Sequence, residues 1–364
     1  MSSVIDQRPE AKNDPIASEL LISADSHVIE DPDLWVNRVA PAFKDRAPKF
    51  PPRKVGNDAT FSAHEGGWDP KKRLTEMAVD GVRAEVLYPS LALTLFGMED
   101  ARLQEECFRV YNDWLMEYCQ VAPHLLLGVA CLSVYDIDQA VRELERCHKG
   151  GLRGALVWQV PHPDLPFTSK HYEKLWAAAE RLQMPISLHI LSGFGYAKNL
   201  FTLPMMDLLR HSVVTKLNEA ANTIFDLIYS GVLERFPKLK FVIVENEVGW
   251  MPFLVEQWDR YYARFLAMPG KDLPIPRKPS EYILQNFYTS FFNDPAGGYL
   301  LGHWGEDNAM WSNDFPHGNS TWPNSRKVIA RDLGHLSPEA RRKILTTNVA
   351  KLYNLDLAAI RAAG

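Results

Sequence analysis

Short apolar stretches alternate along the chain with longer stretches in which apolar residues recur at helical spacing. The short stretches are rich in β-branched residues and predict eight strands, at 20–25, 84–89, 125–133, 153–159, 185–190, 240–245, 287–292 and 309–314. The longer stretches predict helices at 101–120, 136–148, 170–183, 216–231, 250–266 and 337–353. Strands and helices therefore alternate from one end of the chain to the other.

This alternation predicts the α/β class and, within it, a closed (β/α)8 TIM barrel. An open doubly wound sheet usually has fewer strands and often a glycine-rich first turn. Neither GxGxxG nor GxxxxGK[ST] follows the first predicted strand, so the backbone cradle of a nucleotide site is not expected. We predict one barrel domain over residues 19–364 and a loose, polar N-terminal tail over residues 1–18.

Two connections are longer than usual and follow strand ends at the face where barrels carry their active sites. Residues 40–70 are rich in proline and glycine, and residues 191–214 are rich in leucine, phenylalanine and methionine. We expect both to be loop insertions that form lids or pocket walls. The apolar part of the second, 194–209, favours an apolar or aromatic substrate.

Charge and composition narrow the possible partners. The net charge is only −5 and no run of clustered lysine and arginine occurs, so nucleic acid is not an expected partner. No apolar stretch is long enough to span a bilayer, and no signal-peptide pattern is present at the N-terminus. The four cysteines form no CxxC pair, which is typical of reduced thiols. We therefore expect a cytoplasmic protein that acts on a small molecule.

Candidate metal ligands lie at the ends of three predicted strands. Asp25 and His27 end the first strand, and side chains two residues apart in a strand point the same way. His189 ends the fifth strand and Asp314 ends the eighth. In isolation, each would be read as a turn, capping or buried core residue. Because the strands of a barrel end at one rim, their convergence predicts a site for zinc, iron or manganese.

Glu245, which ends the sixth predicted strand, leaves two alternatives open. A carboxylate next to apolar residues is costly to bury unless it meets a partner or a cation. Glu245 is either a further metal ligand that could bridge a second ion, or a partner that orients a ligating histidine. One ion is expected and two are possible.

Several further residues are predicted on loops at the same face. His317 follows Asp314 closely, and a histidine beside a metal-bound carboxylate can contact substrate or transfer protons. His162, after the fourth strand, is a second candidate for contact with the substrate. Weaker candidates on the same grounds are His64, Asn293 and Asp294.

Several segments of the chain resemble the amidohydrolase-related family of metal-dependent barrels, which includes aminocarboxymuconate-semialdehyde decarboxylase and resorcylate-type decarboxylases. They are ADSHVIEDP at 24–32, MAVDGVRAEVLYP at 77–89, GVLERFPKLK at 231–240, VENEVGWMPF at 244–253, SNDFPH at 312–317 and ILTTNVAKLY at 344–353. The resemblance covers nearly the whole chain.

The resemblance implies roles for individual positions. Asp25 and His27 stand where the family has an HxH or ExH pair, His189 at its strand-five ligand and Asp314 at its strand-eight carboxylate. On strand six, many family decarboxylases carry a histidine, whereas this chain has Glu245, Asn246 and Glu247. The resemblance also implies a homodimer.

The preferred interpretation is a hydrolase in which a metal-activated water attacks an amide, ester or thioester, with Asp314 as general base and His317 or His162 near the substrate carbonyl. The alternative is non-oxidative decarboxylation of an aromatic or unsaturated acid. A lysine or arginine placed to hold the substrate carboxylate would favour decarboxylation, and the strand ends show none. A metal-free binding protein is disfavoured because every ligand position keeps a side chain able to coordinate.

Overall fold

Eight short, fully or nearly fully buried strands form the centre of the molecule. The structure is a computed structural model and describes residues 16, 18–52, 64–194, 203–270 and 272–363. The strands are β1 Leu21–His27, β2 Val82–Tyr88, β3 Leu126–Cys131, β4 Gly154–Val157, β5 Ile186–His189, β6 Phe241–Val244, β7 Phe287–Phe291 and β8 Ala309–Trp311. Each pairs in parallel with the next, so their order in the sheet is their order in the chain.

The sheet curls until its two edge strands meet. The segment after β8 lies along β1: the Asp314 amide donates to the Asp25 carbonyl at 3.1 Å, and the His27 amide donates to the Phe315 carbonyl at 2.6 Å. The strand register of β1 against β2 shifts between Ser23 and Ser26. The result is a nearly closed barrel, which confirms the predicted (β/α)8 architecture.

Helices cover the outside of the barrel and connect successive strands. They are α1 Leu34–Arg38, α2 Pro70–Asp80, α3 Ala101–Cys119, α4 Ile137–Lys149, α5 Glu173–Leu182, α6 Met205–Arg210, α7 Lys216–Tyr229, α8 Val232–Arg235, α9 Met251–Leu266, α10 Pro279–Asn286, α11 Pro295–Leu300, α12 Ser325–Leu333, α13 Pro338–Arg342, α14 Asn348–Leu352 and α15 Leu357–Ala362. Several begin at an aspartate that accepts a backbone N–H bond, as Asp100 does from Leu103 and Asp136 from Gln139. Local capping therefore fixes where these helices start.

The two predicted loop insertions differ from expectation in their internal structure. Within 40–70, Pro41–Arg46 and Glu65–Gly67 form 3-10 turns, and within 191–214, α6 is followed by a π-helical turn, His211–Thr215, that runs into α7. Six residues are too few to show helical periodicity by themselves, so the sequence predicted only a loop over α6. Residues 53–63 and 195–202 of these segments, and all but two residues of the predicted tail, lie outside the described residues.

Among the residues described, no helix combines the length and the apolar character needed to cross a bilayer. The four cysteines are buried free thiols. Burial raises the pKa of Cys119 to about 12, so its sulfur stays protonated and unreactive near neutral pH.

Candidate metal centre

The end of β1 places two buried ligand-type side chains at the rim of the barrel. Asp25 and His27 are both fully inaccessible to solvent. His27 Nε2 lies 3.5 Å from Asp25 Oδ1. The pair predicted from the sequence therefore does converge on one point.

His189, at the end of β5, reaches the same point from across the barrel. Its Nε2 lies 3.3 Å from His27 Nε2 and 3.9 Å from Asp25 Oδ1. The other nitrogen of each ring faces a backbone carbonyl: His27 Nδ1 is 2.7 Å from the Pro89 oxygen and His189 Nδ1 is 2.6 Å from the Ile190 oxygen. A carbonyl only accepts, so each Nδ1 carries the proton and each Nε2 presents a lone pair.

Asp314, directly beyond β8, supplies a second carboxylate. Its Oδ1 lies 3.4 Å from His27 Nε2 and 3.1 Å from His317 Nδ1. The His317 ring stacks on the His27 ring with a centroid distance of 3.9 Å. Its Nε2 lies 3.2 Å from the Ser90 hydroxyl. His317 therefore lies in the cluster, and its predicted contact with substrate or transfer of protons stays a prediction.

Glu245 follows β6 and approaches the cluster from the side of His189. Its Oε2 is 3.7 Å from His189 Nε2. Burial and the nearby Asp314 carboxylate raise its pKa to about 8 from a usual value of 4.5. A pKa this high means that the loss of solvation and the like charge of Asp314 outweigh the effect of the positive charges nearby.

The donor set fits a divalent metal ion. Two imidazole lone pairs face each other, and neither can donate to the other or to the carboxylates beside them. Within the described part of the chain, Asp25 Oδ1 and Asp314 Oδ2 are buried and accept no hydrogen bond. The Nε2 atoms of His27 and His189 and these carboxylate oxygens are acceptors that repel one another until a cation lies between them, and neutral imidazoles with carboxylates are ligands of zinc, iron and manganese.

Two overlapping groups of side chains can each surround an ion. Asp25, His27, His189 and Glu245 offer ligand atoms within 4.8 Å of one another, as do His27, Asp314 and His317. Both groups use His27, whose Nε2 has a single lone pair. His27 can therefore coordinate an ion in only one of the two groups at a time.

The local electrostatics reflect the excess of buried carboxylates. Burial and the charge of Asp314 raise the pKa of Asp25 well above its usual range. Burial lowers the pKa of His27, and it lowers that of His189 to about 3, which keeps both rings neutral and able to coordinate. Burial also acts to lower the pKa of His317, but the Asp314 and Glu245 carboxylates outweigh it and the pKa rises.

The backbone is strained at two of the strand ends that carry these side chains. Glu245 and Asp314 have φ angles of 58° and 55°, in the left-handed region that residues with a Cβ seldom occupy. Such conformations persist where the surrounding structure fixes them and are common at functional sites.

The remaining sequence candidates lie outside the cluster. His162 packs its ring against Phe194 at a centroid distance of 4.0 Å and accepts the Asp164 amide. The Asn293 side chain accepts from Arg331, and Asp294 caps α11. His64 packs edge to face against Trp322 and pairs with Glu76. A contact between His162 and substrate stays a prediction.

The sequence did not reveal Lys216, the first residue of α7. Its ammonium donates to the Glu245 carbonyl at 3.3 Å. Its charge also acts on Glu245, Glu247 and His189. Lys216 lies in the chain segment after β5, 27 residues beyond His189, and no local pattern distinguishes it from any other helix lysine.

A second residue that the sequence did not reveal is Glu30. Its buried carboxylate accepts the amides of Ser90, Leu91 and Ala92 at 3.2, 2.9 and 3.0 Å. This fixes the turn after β2, which carries both the Pro89 carbonyl facing His27 and the Ser90 hydroxyl facing His317. Glu30 therefore supports the site without entering it.

A (β/α)8 barrel with imidazole and carboxylate groups converging at the C-terminal ends of its strands defines the class of metal-dependent TIM-barrel enzymes. A sequence profile described as amidohydrolase matches residues 24–355. The chain therefore belongs to the amidohydrolase family, and the predicted membership is confirmed.

The chain is similar to an enzyme of known activity and to a solved structure. The gamma-resorcylate decarboxylase of Rhizobium sp. (strain MTP-10005) is 27% identical over 301 residues, which cover 78% of this chain and 86% of the relative. The structure of an amidohydrolase from Mycobacterium avium subsp. paratuberculosis K-10 superposes with a TM-score of 0.77 at 19% identity, covering 92% of this chain and 99% of that one.

A third comparison is with a solved structure that contains a metal ion. The dihydroxybenzoic acid decarboxylase of Polaromonas sp. JS666, solved with bound manganese and the inhibitor 2-nitroresorcinol, superposes with a TM-score of 0.68 at 22% identity and covers 92% of this chain and 97% of that one. The mycobacterial structure is named an amidohydrolase, whereas the relatives from Rhizobium sp. and Polaromonas sp. are named decarboxylases. The gamma-resorcylate decarboxylases support the alternative prediction of decarboxylation better than the preferred prediction of hydrolysis.

Proposed function

We propose that this protein catalyses the metal-dependent, non-oxidative decarboxylation of a small aromatic acid with a hydroxyl group beside its carboxylate. The observation that carries this proposal is Lys216, whose ammonium lies at the edge of the acidic cluster. A substrate carboxylate entering among Asp25, Asp314 and Glu245 needs positive charge near it, and Lys216 supplies this in addition to a bound ion.

In this scheme, Asp25, His27, His189 and Asp314 hold one ion, and Glu245 completes or adjusts its surroundings. A divalent ion at this position, for which we propose manganese, would bind the carboxylate and the neighbouring hydroxyl oxygen and stabilise negative charge on them. Because His27 is common to both groups of ligand atoms, we expect one ion per chain. Two ions per chain, measured by elemental analysis of the loaded protein, would contradict this count.

The proton that replaces carbon dioxide comes from the Asp314–His317 pair. The bond between the ring carbon and the carboxylate carbon breaks, its electron pair stays on the ring, and that carbon takes up one proton. Asp314 Oδ1 lies 3.1 Å from His317 Nδ1, so the imidazolium can return a proton to the carboxylate after each turnover. The raised pKa of His317 favours the protonated form that this role requires.

The test is turnover in deuterated water. The protein loaded with manganese is incubated with 2,6-dihydroxybenzoate, 5-carboxyvanillate and other ortho-hydroxybenzoates. We expect carbon dioxide to be released and one deuterium to appear at the vacated ring carbon. Benzoate, which lacks the hydroxyl, is the matched control and should react far more slowly. If none of the ortho-hydroxy acids releases carbon dioxide, the proposal fails.

Hydrolysis remains the second candidate because of Glu245. This carboxylate, 3.7 Å from His189 Nε2, directly follows β6 at the position where many family decarboxylases carry a histidine, and it could orient an attacking water. Hydrolysis of aryl esters or amides in ¹⁸O-labelled water would place the label in the acid product. Label incorporation without any decarboxylation would favour this second candidate.

A further inference from the structure

A buried ion pair behind the metal centre links the strand ends that carry the ligands. Arg73, on α2, and Glu85, on β2, are both fully inaccessible to solvent, and Arg73 Nε lies 2.5 Å from Glu85 Oε2. Neither side chain belongs to the groups that can surround an ion. Burying a charged pair at this depth costs free energy of desolvation. The other contacts of the two side chains therefore indicate the role of the pair.

The Arg73 guanidinium joins the two edges of the barrel. Its Nη1 donates to the His27 carbonyl at 2.6 Å, and its Nη2 donates to the Phe315 carbonyl at 3.3 Å. The guanidinium carbon lies 4.6 Å from the centre of the Phe315 ring. One rigid, planar group therefore sets the spacing between the end of β1 and the segment beyond β8.

Asn313 extends the network to the other side of Asp314. Its amide nitrogen donates to Glu85 Oε1 at 3.3 Å. Its amide oxygen accepts from Ser23 at 3.0 Å, Ser26 at 2.8 Å and the Phe315 backbone amide at 3.2 Å. Glu85 thus holds Arg73 with one oxygen and Asn313 with the other.

Asp314 lies between the two residues that this network holds. Its own φ of 55° is strained, and its Oδ2 accepts no hydrogen bond among the described residues. Besides the Asp25 carbonyl that accepts its amide and the His317 ring beside its Oδ1, its position depends on Asn313 on one side and Phe315 on the other. The network also fixes the His27 carbonyl, which lies next to the imidazole that Asp314 faces.

We propose that Arg73, Glu85 and Asn313 are positioning residues that set the distance and angle between the metal ligands of β1 and Asp314. This inference rests on the metal site of the proposed function, but not on which reaction occurs there. Partners outside the coordination sphere commonly change metal affinity by about 10- to 100-fold when they are altered.

The experiment compares Arg73→Lys with Glu85→Gln in the full-length protein, stripped of metal and reloaded. Lysine keeps the charge but cannot bridge the two carbonyls with a planar fork. We expect Mn²⁺ to bind about tenfold or more weakly by calorimetry in both variants. We also expect the visible absorption bands of the Co²⁺-loaded variants, which report ligand geometry, to shift. Circular dichroism establishes that each variant is folded.

The matched control is Arg341→Lys. Arg341 is also buried, donates to the Leu336 carbonyl and pairs with Glu19, which precedes β1 at its far end. This variant should lose stability without changing Mn²⁺ affinity or the Co²⁺ spectrum. If Arg73→Lys does not fold, Glu85→Gln alone decides the question.

A folded variant with wild-type Mn²⁺ affinity and an unchanged Co²⁺ spectrum would overturn the inference. Unfolding of both variants would also overturn it, because the network would then serve only the stability of the fold. No organic substrate is used. A failed decarboxylation assay therefore leaves this inference intact, and its own failure leaves the proposed reaction intact.

Discussion

At the level of single residues, the two nitrogens of each buried imidazole have different partners. In His27 and His189, Nδ1 donates to a backbone carbonyl, and Nε2 faces the carboxylates. This division fixes the tautomer, so the coordinating lone pair is available without any rearrangement. The local backbone therefore orients both imidazoles so that they can bind a cation.

Substitution of a ligand should remove both the ion and the activity. We expect His189→Ala to lose most of its metal and all measurable turnover, because the Nε2 lone pair is gone. Asp314→Asn should keep the fold and lose turnover, since an amide cannot carry the proton. Elemental analysis of protein purified without chelator, alongside activity, measures both effects. His148→Ala, an exposed histidine on α4, is the control, and full activity in both ligand variants would contradict the site.

Removal of the Lys216 charge should weaken substrate binding selectively. In Lys216→Met the aliphatic part of the side chain is kept and the ammonium is lost. We expect KM for an ortho-hydroxybenzoate to rise roughly tenfold, corresponding to about 1.4 kcal/mol, with metal content unchanged. Steady-state kinetics measure this, with Lys238→Met at the opposite end of the barrel as control. An unchanged KM would show that Lys216 does not meet the carboxylate.

At the level of elements, the turn after β2 depends on a residue from the connection that follows β1. Glu30 accepts three consecutive backbone amides at the start of the 3-10 segment Leu91–Gly97. The same turn presents the Pro89 carbonyl to His27. Loss of the hydrogen bonds to Glu30 should therefore lower the stability of the protein and disturb the geometry of the metal centre.

Glu30→Gln should destabilise the protein measurably. The glutamine amide group places a donor against backbone donors, which leaves at least one buried amide without an acceptor. We expect the free energy of unfolding to fall by about 1–3 kcal/mol, measured by chemical denaturation. Asp136→Asn makes the same chemical change at the exposed cap of α4 and should cost little, because asparagine also caps helices. Equal effects of the two changes would argue against a special role for Glu30.

At the level of the whole molecule, closure of the barrel brings buried carboxylates together and links metal binding to stability. Metal-free protein must bury Asp25 and Glu245 with raised pKa values. A group whose pKa is raised by folding destabilises the fold as it ionises, so its favourable contribution is complete below the unfolded pKa and disappears as the pH rises through the folded value.

The contribution of these two carboxyl groups to the stability of the metal-free protein should therefore fall with rising pH. For Glu245 the change spans the interval between its usual pKa of 4.5 and the folded value of about 8. Metal binds the ionised form, so the gap in Tm between manganese-loaded and chelator-treated protein should widen across this interval. Calorimetry at several pH values measures it, and Glu245→Gln should reduce the slope. A gap that does not change with pH would contradict the coupling.

Many residues of the candidate site could be predicted from the sequence because the pattern that identifies them lies in neighbouring residues. The end of a predicted strand lies within two residues of each of Asp25, His27, His189, Glu245 and Asp314, and strand periodicity depends only on neighbouring residues. His317 lies three residues from Asp314 and could be inferred from that spacing. His162 was inferred in the same way, but it lies outside the cluster because the loop after β4 directs its ring toward Phe194.

The sequence by itself thus determined the order of strands and helices, the barrel class and the ligand types at the rim. Only the tertiary structure decided that Lys216 supplies a cation to the site, that Glu30 fixes the turn beside His27, and that Arg73 joins the ends of β1 and β8. The physical reason is sequence distance. Periodicity is a property of adjacent residues, whereas these contacts join residues far apart in the chain and exist only once the barrel has closed.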